Sequence, residues 1–184
     1  MRRSALLVLL CGLALTKASK AVGLELELAP GFAVSKETGV FAPAVRPRLG
    51  LLFPHFTASL VGFGAFTADA RASDSLQLWA LAVEGRLHSE GKTQVSGGFA
   101  VGVGSVVIAR SRSQELTWYG PAAPYVEGLL GVRHRFEEVS IGLDASVQAF
   151  NQTNVDDDRS RNNGFGAFVV FGVRATLGFS VPGL

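Results

Sequence analysis

Hydrophobic residues alternate with small or polar ones along most of this chain, and the clearest run is Gly164 to Phe179. Its odd positions are Phe165, Ala167, Val169, Phe171, Val173, Ala175, Leu177 and Phe179. Between them lie Gly166, Phe168, Val170, Gly172, Arg174, Thr176 and Gly178. A period of two is the mark of a strand, because successive side chains point to opposite faces of a sheet. An apolar row this long, with aromatics at both ends, exceeds what a strand in a soluble sheet needs. It suits a strand that crosses a bilayer at a tilt, apolar toward lipid and small or polar inside.

The same pattern recurs seven times upstream. Strands are expected at Val22–Val34, Val40–Phe53, Phe56–Ala68, Ser75–His88, Thr93–Arg110, Ala122–Phe136 and Val139–Phe150, before the final one. Val40–Phe53 carries Pro43 and Pro47, each of which removes a ladder donor. Phe56–Ala68 has the weakest alternation, with Phe56, Leu60 and Phe66 on one face and Val61 and Phe63 on the other. Pro54-His55, Ser89–Lys92 and Glu137-Glu138 make short turns, whereas Asp69–Asp74, Ser111–Thr117 and Asn151–Asn163 are longer and polar. Short turns alternating with polar loops, and an even strand count, describe an eight-stranded antiparallel up-and-down transmembrane β-barrel.

The polar face decides which side is inside. It carries Gly, Ala, Ser, Arg and acids, and no Lys within the strands. A water-facing surface would be dotted with Lys and long flexible polar groups. A narrow lumen favours small residues and Arg forks that satisfy carboxylates at close range. The expected lumen charge network is Glu25, Glu27, Glu84, Glu127 and Asp144 with Arg46, Arg48, Arg86, Arg133 and Arg174; Arg135 falls on the same face. In the first hairpin, a turn centred between Lys36 and Glu37 pairs Glu27 with Arg46 and Glu25 with Arg48. A shift of two residues keeps the faces and pairs Glu27 with Arg48 instead. Aromatics expected at the two membrane interfaces are Phe53, Phe56, Phe136 and Phe179 at the short-turn end. Trp79, Trp118, Tyr119 and Phe165 belong to the loop end.

Residues 1–21 read as a signal peptide, with Arg2-Arg3, an apolar Ala5–Leu15 and a small-x-small site at Ser19-Lys20-Ala21; residues 22–184 form the barrel domain. Export removes Arg2, Arg3, Lys17 and Lys20, so four of 17 basic residues go and 13 face 15 acidic ones, a net charge of −2. The basic pI of the whole chain therefore gives no reason to expect a nucleic-acid partner. Cys11 leaves with the signal, and with it any thiol or Cys metal ligand.

The chain resembles the small eight-stranded outer-membrane barrels of the OmpA transmembrane-domain, OmpX and OmpW type over about Val22 to Phe179. The likeness rests on the signal peptide, eight dyad-repeat strands, alternating loop lengths and a terminal aromatic strand. It differs in having Ser180-Val181-Pro182-Gly183-Leu184 after Phe179, where that family ends on an aromatic. The resemblance implies a Gram-negative-type outer membrane, lipid as the surrounding partner and a monomer.

Chemistry offers little beyond this. His55, His88 and His134 form no Ser/His/acid arrangement, so no enzyme activity, cofactor or metal is expected. Asp156-Asp157-Asp158 lacks the spaced ligands and central Gly of a calcium loop. The expected function is a structural or surface-interaction role through extracellular loops, with a lumen filled by side chains. A narrow, porin-like channel for ions or small solutes is the alternative; a soluble lipocalin-like carrier and a lipid-modifying enzyme are weaker ones.

Overall fold

The computed structural model describes residues 23–36, 41–67, 74–110, 116–152 and 166–182, of which 74–76, 107–110, 116–122, 152, 166–168 and 182 are described by backbone alone. The expected signal peptide, Phe165 and the Asp156–Asp158 tract lie outside the described residues.

Eight strands run in chain order: β1 Gly23–Ser35, β2 Phe41–Leu52, β3 Phe56–Phe66, β4 Asp74–His88, β5 Thr93–Arg110, β6 Leu116–Phe136, β7 Val139–Gln152 and β8 Gly166–Pro182. Each pairs antiparallel with its neighbours in sequence, and β8 closes on β1. Six of the eight strands have both ends within two residues of those expected from alternation. The β6 start is different, lying six residues earlier than Ala122. There the β5–β6 register jumps between Gly104↔Ala123 and Val106↔Tyr119, so Gly120, Pro121 and Ala122 bulge opposite Ser105. Pro121 has no N–H to give a ladder, and a bulge lets pairing resume beyond it. At the C-terminal end β8 runs past Phe179 to pair Pro182 with Gly23.

Closure requires the strands to tilt, and the register shows by how much. From Glu25 the partners run to Gly50, Ser59, Glu84, Ala100, Glu127, Gln148, Val170 and back to β1 at Ser35. The circuit returns ten residues further along the strand, a stagger that goes with a tilt of roughly 40°. Every side chain met on that circuit points inward.

The outer face is apolar on all eight strands. Leu26, Phe32, Leu49, Leu60, Leu81, Phe99, Leu130, Leu143 and Val173 are all exposed. Inside are Glu25, Arg46, Glu84, Glu127 and Arg174, all but fully buried. A water-soluble barrel has the reverse arrangement. A continuous apolar band of this extent has no place on a soluble monomer and matches the lipid-facing band of a membrane barrel.

Two seams are interrupted. No β1–β8 pairs form between Leu28↔Leu177 and Gly31↔Arg174, flanking Pro30. None forms between Val45↔Gly64 and Arg48↔Val61, flanking Pro47. The β1–β2 ladder between them is continuous, so the prolines turn their missing donors away from their own hairpin.

Candidate functional site

Among the described residues, charged side chains converge at bilayer depth in the lumen, and the tilt sorts it into three levels. At the turn end are Glu25, Thr57, His88, Gln94, Arg133, Arg135, Ser140 and Ser180. Half-way along are Glu27, Arg46, Arg48, Glu84, Arg86, Asp144, Glu127 and Arg174. Toward the loop end the lining becomes Phe63, Leu78, Val106, Tyr125, Phe150 and Val170 with several alanines.

The middle level is one connected set of ion pairs. Arg46 donates from Nε and Nη2 to Glu127 Oε2 at 3.0 and 2.9 Å, and its Nη2 also reaches Glu84. Glu127 Oε1 accepts from Arg174 Nη2 at 2.7 Å and from Gln148 Nε2 at 3.1 Å. Arg86 spans from Glu84 Oε1 (3.1 Å) to Asp144 Oδ2 (3.0 Å). Arg48 Nη2 bridges Glu25 Oε2 at 2.7 Å and Glu27 Oε2 at 2.5 Å, while its Nη1 donates to Ser59. Arg133 Nη1 completes the set on Glu25 Oε1 at 2.6 Å. Glu25, Glu84 and Glu127 each accept from two guanidinium groups, which offsets the cost of taking both ions out of water, whereas Glu27 and Asp144 each accept from one.

Small residues make this packing possible. The inward positions of β5 are Gly98, Ala100, Gly102 and Gly104, leaving that wall bare so that side chains from the opposite wall can reach across. At Gly131 an added Cβ would collide with the Asp144 carboxylate, so that glycine admits the acid.

All ten residues expected as a lumen charge network are therefore placed on the inner face, and the partners differ from those of the simplest hairpin. The β1–β2 register is the shifted one, Glu27↔Arg48, with Glu25 opposite Gly50 and Ala29 opposite Arg46. Arg48 serves both acids of β1, and Arg46 leaves its own hairpin for Glu84 and Glu127 across the lumen. The physical reason is parity: a two-residue shift changes no face, so neither alternation nor burial selects the register. Arg135 lies at the rim, about one quarter exposed.

Among the expected interfacial aromatics, Trp79, Phe136 and Phe179 are exposed on the outer face, and Phe56 is half-buried over Gly85. Phe53 is a correction: it is buried, because β2 ends at Leu52 before Pro54 and the ring folds into the turn against Phe56, 6.2 Å between centroids. Trp118 and Tyr119 pair within β6 opposite Val107 and Val106; their side chains lie outside the description.

Sequence reasoning passed over the loop-side plug. Phe150 and Tyr125 rings pack 5.0 Å apart, and Arg174 lies 6.0 Å over the Phe63 ring where the charged level meets the apolar one. Parity was the available signal: Leu78 and Phe150 share the inward phase of Ala80 and Gln148. The histidines are dispersed, with exposed His55 beside Glu90 (3.5 Å), His134 in contact with Thr93 Oγ1 (2.8 Å), and His88 buried at the turn-end mouth.

No family model matches the chain, and no curated protein matches it. Among solved structures, Neisserial surface protein A aligns with TM-score 0.64 at 10% identity, covering 87% of this chain and 97% of that one. Ail, the attachment invasion locus protein of Yersinia pestis, aligns with TM-score 0.58 at 10% identity, covering 88% of this chain and 100% of its own. At such identity the likeness is one of fold, and the chain shares with both a small closed eight-stranded β-barrel, here with an apolar outer band.

Proposed function

We propose that the protein is a closed outer-membrane barrel with a structural or surface-interaction role, presenting its long loops to the cell exterior. The observation that carries this reading is the loop-side plug. Phe63, Leu78, Val106, Tyr125, Phe150 and Val170 fill the lumen with apolar side chains where a conduit would need water. An eight-stranded lumen has room for side chains and little else. Below the plug, each lumen carboxylate is engaged by at least one guanidinium. The names of the two aligned proteins, a surface protein and an attachment protein, support the same general role. Export by the signal peptide 1–21 and a monomeric state belong to this proposal.

Single-channel recording in planar bilayers tests it. The wild-type barrel should give no stepwise conductance. A reproducible unitary current, abolished when the loops are trimmed, would overturn the closed-barrel reading in favour of a narrow channel.

A further inference from the structure

The turn-end mouth of the lumen differs from the rest of it in charge. Counting the lumen as a whole among the described residues, Glu25, Glu27, Glu84, Glu127 and Asp144 oppose Arg46, Arg48, Arg86, Arg133, Arg135 and Arg174, five against six. The surplus cation sits at the mouth. Arg133 and Arg135 lie on one strand two residues apart, so both guanidiniums project to the same side. Within 4 Å they meet only two carboxylates: Glu25 Oε1 at 2.6 Å from Arg133 and 3.8 Å from Arg135, and Glu27 Oε2 at 3.8 Å from Arg133. Glu25 is shared with a third guanidinium, since its other oxygen accepts from Arg48 at 2.7 Å. Glu27 Oε2 is held by the same arginine at 2.5 Å, and Glu27 Oε1, without a hydrogen-bond partner, meets neither Arg133 nor Arg135 within 4 Å.

Several donors of this level have no partner, as have Nη1 of Arg46, Nε of Arg48 and Nε and Nη1 of Arg174 deeper in the lumen. Arg133 is 3% exposed, yet its Nε and Nη2 have no hydrogen-bond partner. Arg135 Nε and Nη2 are in the same condition, as are both ring nitrogens of buried His88 and the Ser180 hydroxyl. The register places Ser180 opposite Glu25, the carboxylate that holds Arg133, with Gln94 opposite Arg133 and Ser140 opposite Arg135. The acids of the neighbouring turns, Glu90, Glu137 and Glu138, are exposed and none pairs with either guanidinium. Burying two guanidinium forks with unused N–H groups costs free energy unless an acceptor meets them. A planar carboxylate or a tetrahedral phosphate is the group whose oxygens match such forks.

We propose that the turn-end mouth is a binding site for a small oxyanion of the phosphate or carboxylate class, held by Arg133 and Arg135 with His88 and Ser180 beside them. The site faces the end opposite the long loops, so its ligand arrives from the periplasmic side, and it is independent of whether the loops bind a partner. Its position at the membrane edge admits two sources of the same chemistry, a free anion or the phosphate of a lipid headgroup.

The test is an NMR titration of the full protein purified in a neutral maltoside detergent, read at the backbone amides of Gln94, Arg133 and Ser180. Inorganic phosphate is added at constant ionic strength against chloride. Saturable shifts confined to the mouth are expected with phosphate. Arg135→Gln should weaken the apparent affinity about tenfold, the size of one lost charge-assisted hydrogen bond. Lys92→Gln, which removes an exposed charge from the same rim, should leave it within error. A parallel titration with phosphatidylglycerol in the micelle and no free phosphate separates the two sources: saturation there alone assigns the headgroup, and saturation with inorganic phosphate assigns the free anion. Shifts that rise without saturating in both arms, or an unchanged affinity in folded Arg135→Gln, would overturn the site. Should Arg135→Gln fail to give the heat-modifiable band of a folded barrel, the wild-type contrast between phosphate and chloride still decides.

Discussion

The two halves of the lumen are lined by the same eight strands with the same inward phase, yet they are filled by opposite chemistry. From the mouth to mid-depth the filling is ionic, with Glu127 shared by Arg46, Arg174 and Gln148. From there to the loop end it is Phe63, Leu78, Tyr125, Phe150 and Val170. The apolar half needs only volume, which several residues supply about equally well. The ionic half needs partners at fixed positions, since each ion left alone at low dielectric is costly. The lesson is that one half tolerates substitution while the other specifies register. Ion pairs joining β1, β2, β4, β6, β7 and β8 are satisfied together only when those strands are staggered as observed.

Near-isosteric substitutions separate the halves. Glu127→Gln leaves the shape and removes the charge that holds two buried guanidiniums, and should cost about 3–5 kcal/mol in urea unfolding from lipid vesicles. A cost below 1 kcal/mol on that scale would mean that the two halves do not differ in kind. The outer face supplies the reference. Val173→Arg, at mid-depth and facing lipid, should cost about 2–4 kcal/mol in the same assay. Val173 is the better probe than Val169, which lies closer to the loop end of β8 and is only half-exposed. If Val173→Arg folded as well as wild type, the exposed band would not be the lipid face.

Within the ionic half, the observed register predicts unequal couplings. A double-mutant cycle on Glu27→Gln and Arg48→Gln should give about 1–3 kcal/mol, as for residues in direct contact. The same cycle with Arg46→Gln should give markedly less, because Arg46 turns to Glu84 and Glu127. A larger coupling with Arg46 than with Arg48 would place the hairpin in the other register. The smallest effect belongs to the plug: Phe150→Leu should cost less than about 1.5 kcal/mol, as size-related apolar exchanges do when neighbours can settle. A loss as large as that of Glu127→Gln would erase the contrast.

Alternation by itself determined a great deal here. Eight strands, their order, the inward and outward sets and ten lumen charges were legible because side-chain direction in a strand is a local property with period two. The same rule, followed to the end of β4's and β7's inward phase, reaches Leu78 and Phe150. What it cannot reach is any quantity invariant to a shift of two residues. The Glu27↔Arg48 register is one such quantity. The partners of Arg46 are another, since Glu84 and Glu127 meet it only when the sheet closes with its ten-residue stagger. Phe53 followed parity into lipid on paper and is buried in the turn instead, because a strand's alternation ends with its ladder at Leu52. Local chemistry sets which face each side chain takes; closure of the barrel sets whom it meets, because only closure brings distant strands to one depth.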